Sequence, residues 1–239
     1  RIIPDIADAV NGKMQERKMT PEDVQGIGIG VPGPVLNDSI VNRCVNLGWG
    51  VVDVSKEMRQ LTGIENIAAG NDANVAALGE MWKGAGEGHE NVVMITLGTG
   101  VGGGIILNGK IISGIHGAAG EIGHIKVSDD EKLSCGCGKK GHLEQYASAT
   151  GIVRKAKEIL ENTSQDSVLC HKDEITAKDV FDAARDGDEP AVEAVRFACQ
   201  RLGLAMAHIA DVIDPEVFVI GGGVSRAGEI LLNGVKKYY

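Results

Sequence analysis

The sequence contains no apolar segment long enough to cross a bilayer, and no basic stretch followed by an apolar run at its start. It also contains no block of lysine and arginine that could neutralise a run of phosphates. Acidic residues outnumber basic ones by 33 to 24, and the formal net charge is −9. We therefore predict no membrane partner, no nucleic-acid partner and a cytoplasmic location for this chain.

Cysteine is too scattered to form a disulfide framework. The chain has five cysteines, an odd number. Cys44, Cys170 and Cys199 stand singly in strand-like or helix-like surroundings, so we interpret them as small buried hydrophobic residues. Only Cys135 and Cys137 lie close together in the sequence.

Apolar residues, in contrast, are abundant enough for a core, since 43% of the 239 residues are hydrophobic. Helical spacing or capping signals predict helices over residues 3–14, 53–61, 71–82, 150–161, 176–185, 189–213 and 227–235. Short apolar runs predict strands over residues 24–31, 67–69, 92–97, 104–107, 110–112 and 217–220. This order of elements predicts an α/β fold that includes antiparallel hairpins.

The stretch GTGVGGG has Gly98, Gly100 and Gly103 at the spacing of a dinucleotide fingerprint, with Glu121 about 20 residues further on. That fingerprint requires a helix after the glycines, whereas GIIL, which follows here, has the character of a strand. We therefore predict a hairpin turn. Such a turn either presents backbone N–H groups to a phosphate or is a plain tight turn.

Several polar residues stand beside predicted turns. Asn71 and Asp72 begin a helix after a strand, so they either cap the helix or point into a ligand crevice, and the two roles are compatible. Glu121, His124 and Glu144 either hydrogen-bond the hydroxyls of a polyol or are ordinary surface charges.

The stretch CGCGKKGHLE places Cys135 and Cys137 one residue apart and His142 shortly after them. Redox pairs usually have the spacing C-x-x-C, which argues against that role. Two thiolates with His142 and His124 would suit tetrahedral zinc, although this spacing is less specific than that of paired C-x-x-C knuckles. A surface turn is the alternative.

Together these motifs resemble the ROK family of repressors and sugar kinases, and within it the bacterial glucokinases. The matching segments run in order through almost the whole chain: GIGIGVPGPV, NLGW, NDANVAALGE, ITLGTGVGGGI, GAAGEIGHI, CGCGKKGHLEQYAS and VIGGGVS. The resemblance implies an actin-like, ribonuclease-H-like ATPase fold with two lobes and a cleft between them. We expect residues 1–79 in the small lobe and residues 80–239 in the large lobe, which carries the zinc loop.

The resemblance also implies roles for individual residues. Asp72 matches the catalytic base that takes the proton from the sugar's 6-hydroxyl. The expected sugar contacts are Gly33, Asn71, Asp72, Glu121, His124 and Glu144. The expected ATP-binding residues are Gly98, Thr99, Gly100, Gly102, Gly103, Gly221, Gly222 and Gly223. The expected zinc ligands are His124, Cys135, Cys137 and His142, the last of which stands where the family usually has a third cysteine. Glucose, ATP, Mg²⁺, a structural Zn²⁺ and a homodimer or homotetramer complete the expectation.

The family begins with a strand and a Gly-Gly-Thr phosphate hairpin and ends with a closing helix, and neither segment is present here. We therefore expect a segment in front of Arg1, and weak nucleotide binding if there is none. The alternatives are a sugar-responsive repressor with a helix-turn-helix in that segment, or a kinase for N-acetylmannosamine, fructose or allose.

Overall fold

A computed structural model describes residues 1–44 and 47–239 of the chain. The motif NLGW begins at Asn46, which lies outside the described residues. The first element, α1 (Ile2–Arg17), buries Ile3, Ala7 and Met14, as the apolar spacing predicts. A 3₁₀ turn follows over Pro21–Asp23, closed by a capping box between Thr20 and Asp23.

Two small sheets follow α1. In the first, β1 (Ile27–Val31) lies parallel to β5 (Ile67–Asn71). The second is an antiparallel meander of β2 (Val35–Leu36), β3 (Ile40–Cys44) and β4 (Trp49–Asp53), which the sequence did not predict. Asp53 caps α2 (Val54–Thr62), which ends at Gly63 in the left-handed conformation. Ser55 lies inside this helix and is buried.

The third sheet has the strand order β8, β7, β6, β9. Its strands are β6 (Val92–Leu97), β7 (Val101–Leu107), β8 (Lys110–Ile111) and β9 (Val217–Gly221). The β6–β7 and β7–β8 pairs are antiparallel, and β6 and β9 are parallel. The predicted hairpin after β6 is therefore confirmed, with β7 pairing directly back onto β6.

Helices cover both faces of this third sheet. Alternate side chains of β6 point to opposite faces. Val92 and Met94 share one core with Ala77 of α3 (Asp72–Lys83), whereas Val93, Ile95 and Leu97 belong to a larger core. Helices α4 (Glu144–Ala147), α5 (Ala149–Asn162), α6 (Ala177–Arg185), α7 (Glu189–Ile213) and α8 (Glu229–Val235) contribute to that larger core. Burial on both faces explains why β6 reads as a continuous apolar run.

Predicted boundaries differ from the structure by up to three residues, and three of these shifts involve turns. The strand expected from residue 24 begins at Ile27, because the N–H of Val24 closes the preceding 3₁₀ turn. The strand expected from residue 104 begins at Val101, so the glycine-rich turn is shorter than predicted. The last helix begins at Glu229, not at residue 227, because Gly228 has φ +68°, which does not fit a right-handed helix.

A separate apolar core lies under the first two sheets. Its members come from residues 3–69, including Ile3, Met58 and Ile67, and the cores on the third sheet begin at Ala77. The predicted boundary between lobes, after residue 79, falls inside α3. The assignment of residues 1–79 and 80–239 to two lobes stays a prediction, and the change of core supports a division near the start of α3.

Candidate functional site

A cleft of about 850 Å³ opens where β1, β5, β6 and β9 end. Among the predicted site residues, those that line it are Gly33, Asn71, Asp72, Gly98, Thr99, Gly100, Gly102, Gly103, Glu121, Glu144 and Gly222, together with the predicted metal ligand Cys135. The carboxyl ends of parallel strands are where open α/β sheets bind ligands. The structure therefore brings together most of the residues that the sequence singled out separately.

Asn71 and Asp72 lie at the junction of β5 and α3. Asn71 is the N-cap: its Oδ1 accepts the N–H groups of Ala73 and Asn74 at 3.0 and 3.1 Å. Its Nδ2 donates to the carbonyl oxygen of Gly33 at 3.2 Å, which ties the turn after β1 to the start of α3. Asp72 is exposed in the cleft, and its Oδ1 accepts from the N–H of Ala73 at 2.9 Å. The cap and the cleft-facing carboxylate are thus different residues.

The turn between β6 and β7 consists of Gly98, Thr99 and Gly100, because Leu97 pairs directly with Val101. It is fixed to the start of α5 by two hydrogen bonds. The N–H of Ala149 donates to the Gly98 carbonyl at 2.8 Å, and the Thr150 hydroxyl donates to the Thr99 carbonyl at 3.0 Å. The backbone of the turn is therefore fixed in position where it lines the cleft, and the N–H groups of such a turn suit an anionic ligand.

Two other predicted phosphate residues, Gly102 and Gly103, lie inside β7 and not in a turn. A Cβ at Gly102 would lie 2.6 Å from the Thr96 hydroxyl. A Cβ at Gly103 would lie 2.4 Å from Ile122 Cδ1 and 2.8 Å from the Gly120 carbonyl. These glycines therefore permit close packing under the cleft, in addition to lining it.

The glycines after β9 differ from one another. Gly222 has φ +85°, and a Cβ there would lie 2.5 Å from the Leu97 carbonyl, so this turn packs against the end of β6. Gly221 is the last residue of β9, and Gly223 precedes a 3₁₀ turn over Val224–Ala227. Of the three, only Gly222 is among the described residues that line the cleft.

Glu121 and Glu144 reach the cleft from different segments. Glu121 is exposed, just before a 3₁₀ turn over Ile122–His124. Glu144 is the first residue of α4, and its Oε2 accepts the N–H of Val101 at 3.1 Å. Its Oε1 lies 3.6 Å from the sulfur of Cys135. Glu144 thus connects the glycine turn to the loop that carries the cysteines.

The cysteine loop, residues 127–143, carries three of the predicted metal ligands and brings them to the fourth, His124, which precedes the loop. The donor atoms of His124, Cys135, Cys137 and His142 all lie within 4.8 Å of one another. The two histidine Nδ1 atoms are 3.2 Å apart, and Cys137 Sγ is 3.4 Å from Nδ1 of His142. Two sulfurs and two imidazole nitrogens are a donor set that suits tetrahedral zinc.

The protonation of this cluster also bears on metal binding. Burial, with the neighbouring His124 and Lys139, lowers the pKa of His142, so its ring is readily available in the neutral form that binds metals. Burial raises the pKa of the Cys135 thiol, so a cation must displace its proton to bind. The cluster is compatible with a divalent metal whose binding releases protons.

Sequence reasoning missed several residues of the cleft. Arg154 of α5 lines it and forms an ion pair with Glu131, and Pro32, Thr96, Gln145 and Thr150 also line it. Arg154 looks in the sequence like any charged residue on an amphipathic helix. Its partners Glu131 and Gln145 are distant in sequence, so no local signal marks it as a residue of the cleft.

Known proteins resemble this chain in both sequence and structure. The sequence profile of the ROK family matches residues 2–239. A glucokinase of Halalkalibacterium halodurans is 44% identical over 242 residues, which span 100% of this chain and 73% of that protein. The crystal structure of a ROK family glucokinase from Streptomyces griseus, in complex with glucose and AMPPNP, is similar with a TM-score of 0.78 at 38% identity. That similarity covers 98% of this chain and 76% of the other.

A xylose repressor of Caldicellulosiruptor bescii is also similar, at 30% identity over 96% of this chain and 58% of its own length. The family match confirms the resemblance inferred from the motifs, and the structural similarity confirms the predicted actin-like ATPase fold. No helix within residues 1–44 and 47–239 is both long and apolar enough to cross a membrane.

Proposed function

This chain belongs to the ROK family, and on that premise we propose that it is a kinase that transfers the γ-phosphoryl group of ATP to the 6-hydroxyl of glucose. One observation carries the proposal. The carboxylate of Asp72 stands exposed in the same cleft as the backbone of the Gly98 to Gly100 turn, in a chain 44% identical to a glucokinase.

Asp72 is proposed as the general base. Phosphoryl transfer depends mainly on positioning and on neutralising charge, so a single carboxylate that orients the attacking hydroxyl and accepts its proton is sufficient. Because Asn71 supplies the helix cap, the Asp72 carboxylate needs only one backbone hydrogen bond, from Ala73, and keeps acceptor positions for a substrate hydroxyl.

The sugar is proposed to bind between the two lobes against Asn71, Glu121, His124 and Glu144, with Gly33 approaching through its backbone. Glu121 and Glu144 line the cleft from separate segments, so their carboxylates can accept hydrogen bonds from several hydroxyl groups at once. The bond from Asn71 to the Gly33 carbonyl keeps this side of the pocket in place.

The nucleotide is proposed to bind along the glycine turns, with its phosphates on Gly98, Thr99 and Gly100 and its adenosine near Gly222. Mg²⁺ that accompanies ATP would neutralise charge on the phosphates. The protein's own contribution is a backbone held by Ala149 and Thr150, which needs no rearrangement as charge develops.

We further propose that His124, Cys135, Cys137 and His142 hold a structural zinc ion. The fit of the donor set and the mutual distances within 4.8 Å support this assignment. In that role the ion has no part in phosphoryl transfer. The residues around it keep the cysteine loop closed, so that Glu144 faces the glycine turn.

A second candidate function is sugar-responsive repression, which the similarity to the xylose repressor favours. A repressor of this family would bind DNA through residues other than those of this cleft. The exposed Asp72 and the held glycine turn favour the kinase, since sugar sensing alone requires neither a base nor a phosphate site.

The test is an ADP-release assay on the intact protein with ATP, Mg²⁺ and a panel of glucose, N-acetylmannosamine, fructose, mannose and allose. We expect the highest kcat/KM for glucose. Turnover only with another sugar would contradict the glucose assignment, and no turnover with any sugar would contradict the kinase assignment. Sugar-dependent binding of DNA by a protein without turnover would favour the repressor.

A further inference from the structure

The cysteine loop is held by contacts other than those that the proposed zinc ligands would make with a metal. At its base, Leu143 N–H donates to the Ile125 carbonyl at 2.9 Å, and Val127 N–H donates to the Gly141 carbonyl at 2.8 Å. These bonds close the two ends of the loop. They do not connect its middle to the rest of the protein, and that connection comes from α4 and α5.

Arg154 of α5 makes three of these connections. Its guanidinium donates to both carboxylate oxygens of Glu131, at 3.2 and 2.7 Å, and to the carbonyl oxygen of Gln145 at 2.9 Å. Glu131 also accepts the N–H of Leu133 at 3.0 Å. Two parallel hydrogen bonds between a planar guanidinium and a carboxylate fix the relative orientation of the two side chains as well as their distance.

Gln145 binds the loop on both sides of the two cysteines in the sequence. Its Oε1 accepts the N–H of His142 at 3.1 Å, and its Nε2 donates to the carbonyl of Leu133 at 2.9 Å. Arg154 and Gln145 thus hold the loop both before Cys135 and after Cys137. Gln145 directly follows Glu144, so the backbone bond from Arg154 acts one residue away from a proposed sugar contact.

The ion pair is largely removed from water, because the side chain of Glu131 is 7% exposed and that of Arg154 is 32% exposed. Burying such a pair contributes little or nothing to stability compared with apolar residues of similar size. An amphipathic helix could face this loop with a leucine at less cost. We therefore attribute the Arg154–Glu131 pair to a role in fixing the position of the cysteine loop relative to α5, and not to a gain in stability.

We propose that Arg154 is a positioning residue for the sugar site: by binding Glu131 and the Gln145 carbonyl, it fixes the cysteine loop and Glu144 whether or not a metal is bound. This inference rests on the proposed kinase function, because Glu144 is taken as a sugar contact. Arg154 itself lines the cleft, but its donors are directed at Glu131 and Gln145.

The test compares Arg154→Met with the parent and with Lys178→Met, a substitution at an exposed basic residue of α6. We expect Arg154→Met to raise the KM for glucose about tenfold, the lower end of what losing a supporting contact costs. The KM for ATP and the zinc content should stay at the parental values, and Lys178→Met should change none of them. Hydrogen exchange should become faster in residues 127–143.

Because Arg154→Met leaves Glu131 buried without a partner, that variant can lose stability generally. The double variant Glu131→Leu with Arg154→Met removes both charges, and we expect it to recover the parental unfolding midpoint while keeping the raised KM for glucose. A parental KM for glucose in the double variant, or equal rises in both KM values, would overturn the proposal. If the parent shows no turnover, the kinase proposal fails. The positioning role can still be tested in that case, because hydrogen exchange of residues 127–143 that is the same in Arg154→Met as in the parent would overturn it.

Discussion

Two neighbouring residues at the start of α3, Asn71 and Asp72, have different roles. Asn71 uses its oxygen to cap the helix and one of its two amide N–H groups to hold Gly33, which leaves the other N–H for the proposed sugar contact. Asp72 makes one local bond and faces the cleft. The sequence left both roles open for either residue, and the geometry separates them.

His142 stands where the family usually has a third cysteine, and the proposed zinc site predicts how it responds to substitution. We expect one zinc per chain in the parent, a loss of affinity of about 10-fold or more in His142→Ala, and retention in His142→Cys. The measurement is metal analysis, followed by zinc transfer to a chromogenic chelator.

Lys172→Ala, in the segment between α5 and α6, is a control that should leave zinc unchanged. Zinc in His142→Ala that is held as tightly as in the parent would show that His142 is not a ligand. A parent purified without zinc, and unable to take it up, would contradict the site as a whole.

Glu131 gives the cysteine loop a predictable dependence on pH. Burial alone would raise its pKa, but the hydrogen bonds and charge of Arg154, with the Leu133 N–H, lower the pKa from 4.5 to about 2. A carboxylate with a lowered pKa in the folded state stabilises the protein above its ordinary pKa and loses this effect as the pH falls.

We therefore expect the parent to be more stable than Glu131→Gln at neutral pH, and the difference to shrink as the pH falls from 4.5 towards 2. Urea unfolding of both proteins across this range measures it, since every other titrating group is shared. A difference that stays constant with pH would show that Glu131 is not held ionised by Arg154.

Strand β7 and helix α3 approach each other closely because β7 contains glycine where they meet. A Cβ at Gly104 would lie 2.6 Å from the Ala77 Cβ and 3.1 Å from the Ala73 carbonyl. We expect Gly104→Ala to cost about 1 to 3 kcal/mol in free energy of unfolding, through overpacking. It should also lower kcat, because the helix that begins with Asp72 must move.

Gly28→Ala is the matched control, since Gly28 also lies in a strand and nothing lies within 4 Å of a Cβ there. Thermal unfolding and turnover of the two variants measure the effect. Equal stability of Gly104→Ala and Gly28→Ala would contradict the close packing of α3 on β7.

The sequence predicted those elements whose apolar pattern is long or whose ends carry clear signals. Helices α6 and α7 appear as expected, and α6 begins with a capping box between Thr176 and Asp179. It missed the meander of β2, β3 and β4, because these strands are two to five residues long with mixed burial. It assigned the glycines of β7 to a turn, because glycine is disfavoured in strands unless another element packs closely against it.

Site residues could likewise be predicted from the sequence where their motif is local, and not where their partners are distant in the chain. Glycine turns and the Cys/His cluster are local in sequence, and most of the predicted residues do meet at one cleft. Arg154 was missed, because its partners Glu131 and Gln145 are nine or more residues away and only the fold brings them together. The motif residue Asn46 lies outside the described residues.

The molecule contains separate apolar cores before and after the start of α3. Residues 3–69 form one apolar core and residues 77–235 form the cores on the third sheet, while the cleft is lined from both sides of this division. Such a cleft suits a reaction that must exclude water from a phosphoryl group, and its closure by movement of one part against the other is a prediction. The homodimer or homotetramer expected from the family stays a prediction.

The most direct test of the account is the activity of Asp72→Asn in the intact protein, beside Asp211→Asn at an exposed position of α7. If Asp72 is the base, Asp72→Asn lowers kcat about 10²- to 10⁴-fold while glucose still binds, and Asp211→Asn keeps the parental rate. ADP release under saturating glucose and ATP measures kcat, and calorimetry measures glucose binding. A parental kcat in Asp72→Asn would contradict the central claim.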